Sequence, residues 1–389
     1  MKYYNNDEVQ GVIFDWEQVK REWDKLKVPY GYYNPLNAIA HGARWNIAAS
    51  TRSVGKTTQV LLLGMILNKL YGTQICYVRS HAKEANQLKL ETLFNVICGY
   101  QKGRYIKDIT GGYYNSVCVH WRKIYYCLRD DNGEILERMD IPLMHCLTAD
   151  EHLDYKSTFN CPQGDLIIWD EAIGDRYDND FYKFCDLQKT IGRDRKSMYI
   201  FVLANTTDIT APLWRELEIN KEVRTITAGH GRLCYTSAKM PIWVEMLDVL
   251  LKESRSEYNE LYLGFDNPKL DAITGNNTGW SFECVPHIER EDKQILNRDN
   301  CISYHGDLLA IDLVQRRCIN QIIIEIHPIT VKRKYCYVLD TLRAQSDIYG
   351  MPRGVYNLLL KFRDRGCIYF SDNMTGHIYK QFLQEVSTF

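Results

Sequence analysis

One stretch sets the terms for this chain. The apolar run Arg44-Trp45-Asn46-Ile47-Ala48-Ala49 enters the loop Ser50-Thr51-Arg52-Ser53-Val54-Gly55-Lys56-Thr57-Thr58, and an apolar helical stretch continues to about Leu70. A glycine near a helix start lets backbone N–H groups approach phosphates, while a lysine beside it neutralises the β and γ groups. Strand, loop and helix in this order predict a phosphate loop: Gly55 and Lys56 hold the phosphates of a nucleotide, and Thr57 offers its hydroxyl to magnesium. The pattern departs from the usual one at its first glycine, which is Ser50 here.

Such a loop needs a carboxylate at the tip of a neighbouring strand to hold magnesium through water, with a base or water-positioning group beside it. The run Asp165-Leu166-Ile167-Ile168-Trp169-Asp170-Glu171 ends in both. Asp170 is the candidate for Mg2+ and Glu171 for the attacking water, so hydrolysis of ATP is the expected reaction. A further apolar run from Met198 ends in Ala204-Asn205-Thr206-Thr207. Asn205 there is placed to sense the γ-phosphate, although the same residues also make an ordinary strand-to-loop turn. Just upstream, Arg193 and Arg195 in Ile191-Gly192-Arg193-Asp194-Arg195-Lys196 are candidates for the cation that stabilises transition-state charge, which ring ATPases take from a neighbouring subunit. The plainer reading is a solvated turn.

The strand Gln74–Arg79, a charged helix over 82–98 and the two later runs continue the alternation, which predicts an α/β fold with a parallel sheet and crossover helices. Residues 103–150 read instead as a β-rich excursion, with segments Ser116–Trp121 and Lys123–Leu128 and a turn at Asp131-Asn132-Gly133. Near the start, Trp16, Val19, Trp23 and Leu26 share one face of a short helix. After residue 210 the pattern weakens to a helical segment near Trp243–Tyr262 and a polar stretch, Asp266–Gly279. Strand-like runs resume at Asp307–Val314, Gln321–Ile326, Tyr335–Leu339 and Cys367–Ser371, with helices near Val355–Asp364 and from His377. The expected divisions are an ATPase domain over 1–215, a helical linker region over 216–295 and a C-terminal α/β domain over 296–389.

Composition fits a folded globular protein: 45% hydrophobic and 25% charged residues are far from the signature of disorder. The formal net charge of -1 means that any nucleic-acid contact must use a local basic face. Thirteen cysteines without a Cys-x-x-Cys pair point to reduced, buried thiols rather than a disulfide framework or zinc ribbon. The N-terminus lacks an apolar signal core and the longest apolar run, near Val60–Leu67, is too short to span a bilayer, so a protein of a reducing cytoplasm without a membrane partner is expected.

The loop with Ser50 in place of the first glycine and Arg52 three residues before Gly55, followed by Asp170-Glu171 and by Ala204-Asn205-Thr206, resembles that of phage large terminases. Compact length and a small C-terminal domain are most similar to the encapsidation ATPases of small protein-primed tailed phages. That resemblance is carried by motifs over roughly 40–210 and elsewhere by layout. It implies an ASCE-type P-loop ATPase domain that forms a ring, usually a pentamer, on the phage portal or connector in the host cytoplasm. There it would drive double-stranded DNA into the prohead, with a packaging RNA as a further candidate partner. It also implies that Arg52 is the terminase-type arginine of the loop, and that Arg193 or Arg195 serves the neighbouring subunit's ATP. Lys102, Arg104, Arg122 and Lys123 are candidate contacts to DNA phosphates.

Large terminases usually carry an RNase H-like nuclease in the second domain, where carboxylates bind two metals. Asp312, Asp340 and Asp372 lie at or near strands here without forming a compact acidic motif. The resemblance to the compact phages, which package unit-length genomes, implies a vestigial nuclease fold, and a domain that holds DNA or the connector without cutting is expected, with an active nuclease or a nucleotide-dependent switch as the competing readings.

Overall fold

A computed structural model describes residues 14–28, 32–50, 54–172, 180–193, 195, 198–204, 212–227, 229–247, 293–304, 306–317, 319–338 and 351–386. The chain divides into two compact units, Met1–Asn277 and Thr278–Phe389.

The first unit is built on a sheet that is ten-stranded among the described residues. In chain order its strands are β1 (Trp45–Ala49), β2 (Ile75–Arg79), β3 (Ser116–His120), β4 (Lys123–Arg129), β5 (Ile135–Arg138), β6 (Met144–Thr148), β7 (Leu166–Asp170), β8 (Tyr199–Ala204), β9 (His230–Tyr235) and β10 (Pro241–Met246). They lie side by side as β3-β4-β6-β2-β7-β8-β1-β10-β9, with β5 beside β4. From β6 to β10 every neighbouring pair is parallel. One strand, β8, separates the phosphate-loop strand from the acidic strand, the order that defines the ASCE class. Strands β1, β6 and β7 are buried at every position. That explains why they read as continuous apolar runs rather than as alternating ones.

Helix α1 (Trp16–Leu26) starts where the Asp15 side chain accepts from the N–H groups of Glu17 and Gln18, and it buries Val19, Trp23 and Leu26 as their spacing predicts. Helix α2 (Pro35–Ile39) leads into β1. Helix α3 (Lys56–Tyr71) is buried at every position from Gln59 to Leu67. A helix that is apolar all round belongs inside a core, and this one fixes the phosphate loop against the sheet. The expected helix over 82–98 is instead a 3-10 turn (Ala82–Glu84) followed by α4 (Gln87–Leu93) and α5 (Asn95–Gly99). The break falls where the Asn86 side chain caps a fresh start on Lys89 N and the fully buried Phe94 turns inward. After α6 (Arg104–Thr110), the excursion forms the hairpin β3–β4 and returns through β6, which pairs with β2. The described cysteines are free thiols, most of them buried.

Two expectations are corrected. Trp243 is not helical: it sits in β10, which pairs in parallel with β1 and antiparallel with β9, so the first sheet extends well past residue 215. A short apolar run is ambiguous between a buried strand and a buried helix, and only its pairing decides. The remainder of the Trp243–Tyr262 segment past Leu247, and the stretch Asp266–Gly279, lie outside the described residues.

In the second unit β11 (Lys293–Tyr304), β12 (Asp307–Arg316) and β13 (Gln321–Pro328) form an antiparallel meander. Strand β14 (Tyr335–Val338) adds in parallel to β11 and β15 (Ile368–Phe370) in parallel to β13. Helices Arg353–Asp364 and Asn373–Val386 pack Leu359, Ile378, Tyr379 and Phe382 against Ile302, Leu309, Ile311, Ile324 and Ile326.

The β9–β10 pairing gives a direct test of the correction. A Cβ on Gly231 would lie 2.1 Å from the Trp243 indole, which is itself stacked on His41 at 3.6 Å. Gly231→Ala is expected to destabilise the first unit by about 2 kcal/mol, seen as a lowered thermal midpoint. A helical Trp243 would leave the midpoint unmoved.

Candidate functional site

Parallel register brings the carboxyl ends of β1, β8, β7 and β2 to one edge, where α/β sheets hold their ligands. Ser50 leaves β1 fully buried, with its N–H on Ala204 O at 3.2 Å, so the phosphate loop begins tied to the end of β8. At its other end Gly55 adopts φ 76°, and a Cβ there would meet the Tyr32 ring at 2.8 Å. Glycine is required on both counts. Lys56 and Thr57 then open α3, with half-buried Thr58 after them.

Lys56 is 4% exposed and donates to Ser50 Oγ at 2.5 Å. The serine that stands where a glycine is usual thus acts as a rest for the lysine. Burial brings the Lys56 pKa down to about 8, against the pull of Asp170 and Glu171 towards the charged form. The Thr57 hydroxyl lies 3.1 and 3.2 Å from the two oxygens of Asp170, so the two expected magnesium ligands meet across 113 residues of sequence. A hydroxyl and a carboxylate at the head of a phosphate loop are the donor set a hard oxygen-seeking cation takes, and the residues present fit Mg2+.

Asp170 is 5% exposed. Burial raises its pKa, while Arg79 and the hydrogen bonds from Tyr77 and Thr57 act in the opposite direction. Tyr77 Oη donates to Oδ2 at 2.7 Å and Arg79 Nη1 lies 3.4 Å from it. Both come from β2, beside β7. Glu171 takes φ 54°, a left-handed conformation uncommon for a non-glycine residue, and its carboxylate is ion-paired with Arg79 Nη2. Arg79 also reaches Glu84 at 3.3 Å. Its charge persists although burial opposes it, because Tyr77, Asp170, Glu171 and Glu84 surround it. Sequence reasoning missed Arg79 and Tyr77; their signal lies in strand order, since they become neighbours of Asp170 only once β2 is placed beside β7.

The two candidate arginines part company. Arg195 pairs with buried Asp165 at 3.2 Å and donates to the carbonyls of Pro162, Gly164, Ile191 and Gly192, so it fastens the loops before β7 and β8. Arg193 is exposed and donates to Phe159 O at 3.1 Å. Both stand at the amino ends of β7 and β8, the edge opposite Ser50 and Gly55, out of reach of Lys56 and Asp170 in the same chain. Thr51, Arg52, Ser53 and Asn205 lie outside the described residues.

Of the candidate DNA contacts, Arg122 is ion-paired with Glu151 and Arg104 bonds Gln101 and Asp108. Lys102 and Arg104 lie beside the start of β3, where Gly103 abuts Asn115, away from the phosphate-loop edge. Lys123 is exposed.

In the second unit Asp312 is buried and ion-paired with Arg333 and, at 3.8 Å, with Arg298, and His327 Nε2 lies 3.2 Å from its carboxylate. Its cross-strand partner Glu325 pairs with Lys293. Asp372 caps the last helix, accepting from Thr375 N at 2.8 Å and from the Ser371 and Thr375 hydroxyls. Asp340 lies outside the described residues. Among the described residues no group of three or more metal-ligating side chains gathers.

No protein-family model matches this chain, and no curated protein does. Two solved structures share its fold along nearly the whole length. The bacteriophage Phi-29 viral genome packaging motor assembly is 16% identical, with 92% of this chain and 99% of that one covered at a TM-score of 0.55. The Phi-28 gp11 DNA packaging motor is 15% identical, with 91% and 98% covered at 0.52. At such identities the likeness is one of fold.

Lys56 makes the site testable before any turnover is measured. Its pKa of about 8 implies that near pH 8 about half of the lysine is neutral, and a bound polyphosphate returns it to the charged form. Nucleotide binding is expected to take up about half a proton near pH 8 and none near pH 6, read by calorimetry in buffers of different ionisation enthalpy. Sign follows from direction: a lysine lowered in the folded state costs stability below its folded pKa, and the unliganded fold gains as pH rises from about 8 towards 10.5. Uptake that persists in Lys56→Ala would assign the proton elsewhere.

Proposed function

We propose that this chain is an ATP-driven motor that translocates double-stranded viral DNA into a preformed capsid. The observation that carries the reading is the meeting of Lys56, Thr57, Asp170 and Glu171 at one sheet edge, in a fold shared along its length with two DNA packaging motors. In this reading the N–H groups at the start of α3 and the Lys56 ammonium bind the β and γ phosphates. Thr57 and Asp170 would hold magnesium, which would offset the charge that develops on the transferred group. Glu171 orients the attacking water and takes its proton. Its pairing with Arg79 withholds that carboxylate, so turnover requires the pair to open.

The motor would work as a homo-oligomeric ring, expected to be a pentamer, seated on the portal of the prohead in the host cytoplasm, with a packaging RNA as a candidate adaptor. Arg193 is the arginine proposed to reach the neighbour's ATP: it is exposed, whereas Arg195 would have to abandon Asp165 and the carbonyls it holds. The second unit is proposed to hold DNA or the connector without cutting, in keeping with the pairing of Asp312 to Arg333.

DNA-stimulated hydrolysis is the test, and Glu171→Gln is expected to lower it by about a thousandfold while nucleotide still binds. Full activity in that variant would remove Glu171 from the chemistry. Mixing tests the ring: inactive Arg193→Ala and inactive Lys56→Ala subunits, combined in equal amounts, should recover about a quarter of wild-type activity, because that share of sites pairs an intact Lys56 with a neighbour's intact Arg193. No recovery counts against an arginine supplied in trans.

A further inference from the structure

Strands β3 and β4 are joined by two residues, Trp121 and Arg122, between the paired His120 and Lys123. Both turn residues are left-handed, at φ 51° and 57°. Such turns favour Asn-Gly, and a bulky aromatic in this conformation is strained. Trp121 is nonetheless 84% exposed, with its ring edge-on to the exposed neighbour His120 at 6.2 Å. The tip is held rigid from below. Arg122 grips Glu151 with both terminal nitrogens and reaches Tyr155 Oη at 3.2 Å, while its carbonyl accepts from Cys146 N at 2.8 Å. Because Lys123 is the register partner of His145, the turn projects towards Thr148, on the same edge of the sheet as Asp170.

From the foot of the hairpin a contiguous set of contacts leads to the water-positioning carboxylate. Glu151 accepts from the Thr148 hydroxyl at 2.6 Å, and Thr148 is the register partner of Arg79. The ladder continues beyond the strands, with Ala149 N on Arg79 O at 2.9 Å and Asp150 N on Ser80 O at 3.1 Å. Arg79 holds Glu171.

We propose that the Trp121 hairpin is a contact for the backbone of double-stranded DNA, and that its engagement is passed through Arg122, Glu151 and Thr148 to the Arg79–Glu171 pair. The proposal rests on the motor reading above. His120 and Lys123 are both exposed and flank the indole, and the tip itself carries no acid. This combination suits a phosphate and sugar surface: a lysine ammonium and an imidazole N–H for the phosphates, and an apolar plate for the sugar edge between them. Contacts of that kind carry no sequence information, which a translocase passing over every sequence requires. Arg122 is then a positioning residue, since Glu151 already occupies its guanidinium.

The test uses the full-length chain with Trp121→Gly, Trp121→Phe and Glu151→Gln. Glycine accepts the left-handed turn, so Trp121→Gly should fold with an undiminished thermal midpoint. Its affinity for a fluorescent blunt duplex is expected to fall about tenfold, with Trp121→Phe keeping most of it. The ratio of hydrolysis rates with and without duplex should fall in the glycine variant too. Glu151→Gln, which loosens Arg122 but leaves the indole, should keep duplex affinity and lose stimulation. Unchanged duplex affinity in Trp121→Gly overturns the contact, and undiminished stimulation in Glu151→Gln overturns the transmission. If Trp121→Gly instead loses self-association in the absence of DNA while its duplex affinity stays the same, the tip is a subunit contact and the proposal fails. A wild-type chain without ATPase activity would sink the motor reading itself, whereas the duplex-affinity comparison would still decide the contact.

Discussion

The Asp170 carboxylate is buried at the end of β7, and a buried anion persists only where donors meet it. Thr57 reaches it from the head of α3, and Tyr77 and Arg79 from β2, so a single side chain fixes the phosphate loop and the neighbouring strand to one point. Much of the first unit serves that meeting. The burial of α3 from Gln59 to Leu67 sets the height of Thr57 above the sheet, and parallel pairing of β2 with β7 sets the reach of Tyr77. Removing one of these donors would leave the buried carboxylate short of a partner, which costs more than the loss of a surface ion pair.

How much was legible in the sequence follows from where the information lies. Ser50 to Thr58 and Asp170-Glu171 could be read because each role is set by local order: apolar strand, polar tip, glycine at a helix start. Arg79 and Tyr77 looked like the ordinary end of a strand, since their function depends on β2 lying next to β7. Arg195 read as an arginine on a turn, and only folding sets it against Asp165 and the carbonyls around it. Trp243 shows the reverse failure. Four of the six residues of Pro241–Met246 are buried, three of them in a row, and that run erased the alternation that separates a strand from a helix.

The second unit illustrates a carboxylate put to a different use. Asp312 and Glu325 face each other across β12 and β13, and each is answered by cations from the same unit. Arg333 and Lys293 pair with them from outside β12 and β13, so the two carboxylates brace the sheet from within. Asp372, spent on a helix cap, is likewise structural.

The two edges of the first sheet differ in kind. One carries the phosphate loop and the acids, and the other carries Arg193. In the ring proposed above, each copy would give Arg193 to one neighbour and take it from the other, a head-to-tail contact that closes by rotation. An assembly made this way has a sense of rotation written into every contact. Successive firing around it would therefore have a clockwise or an anticlockwise order fixed by the fold, before any DNA enters.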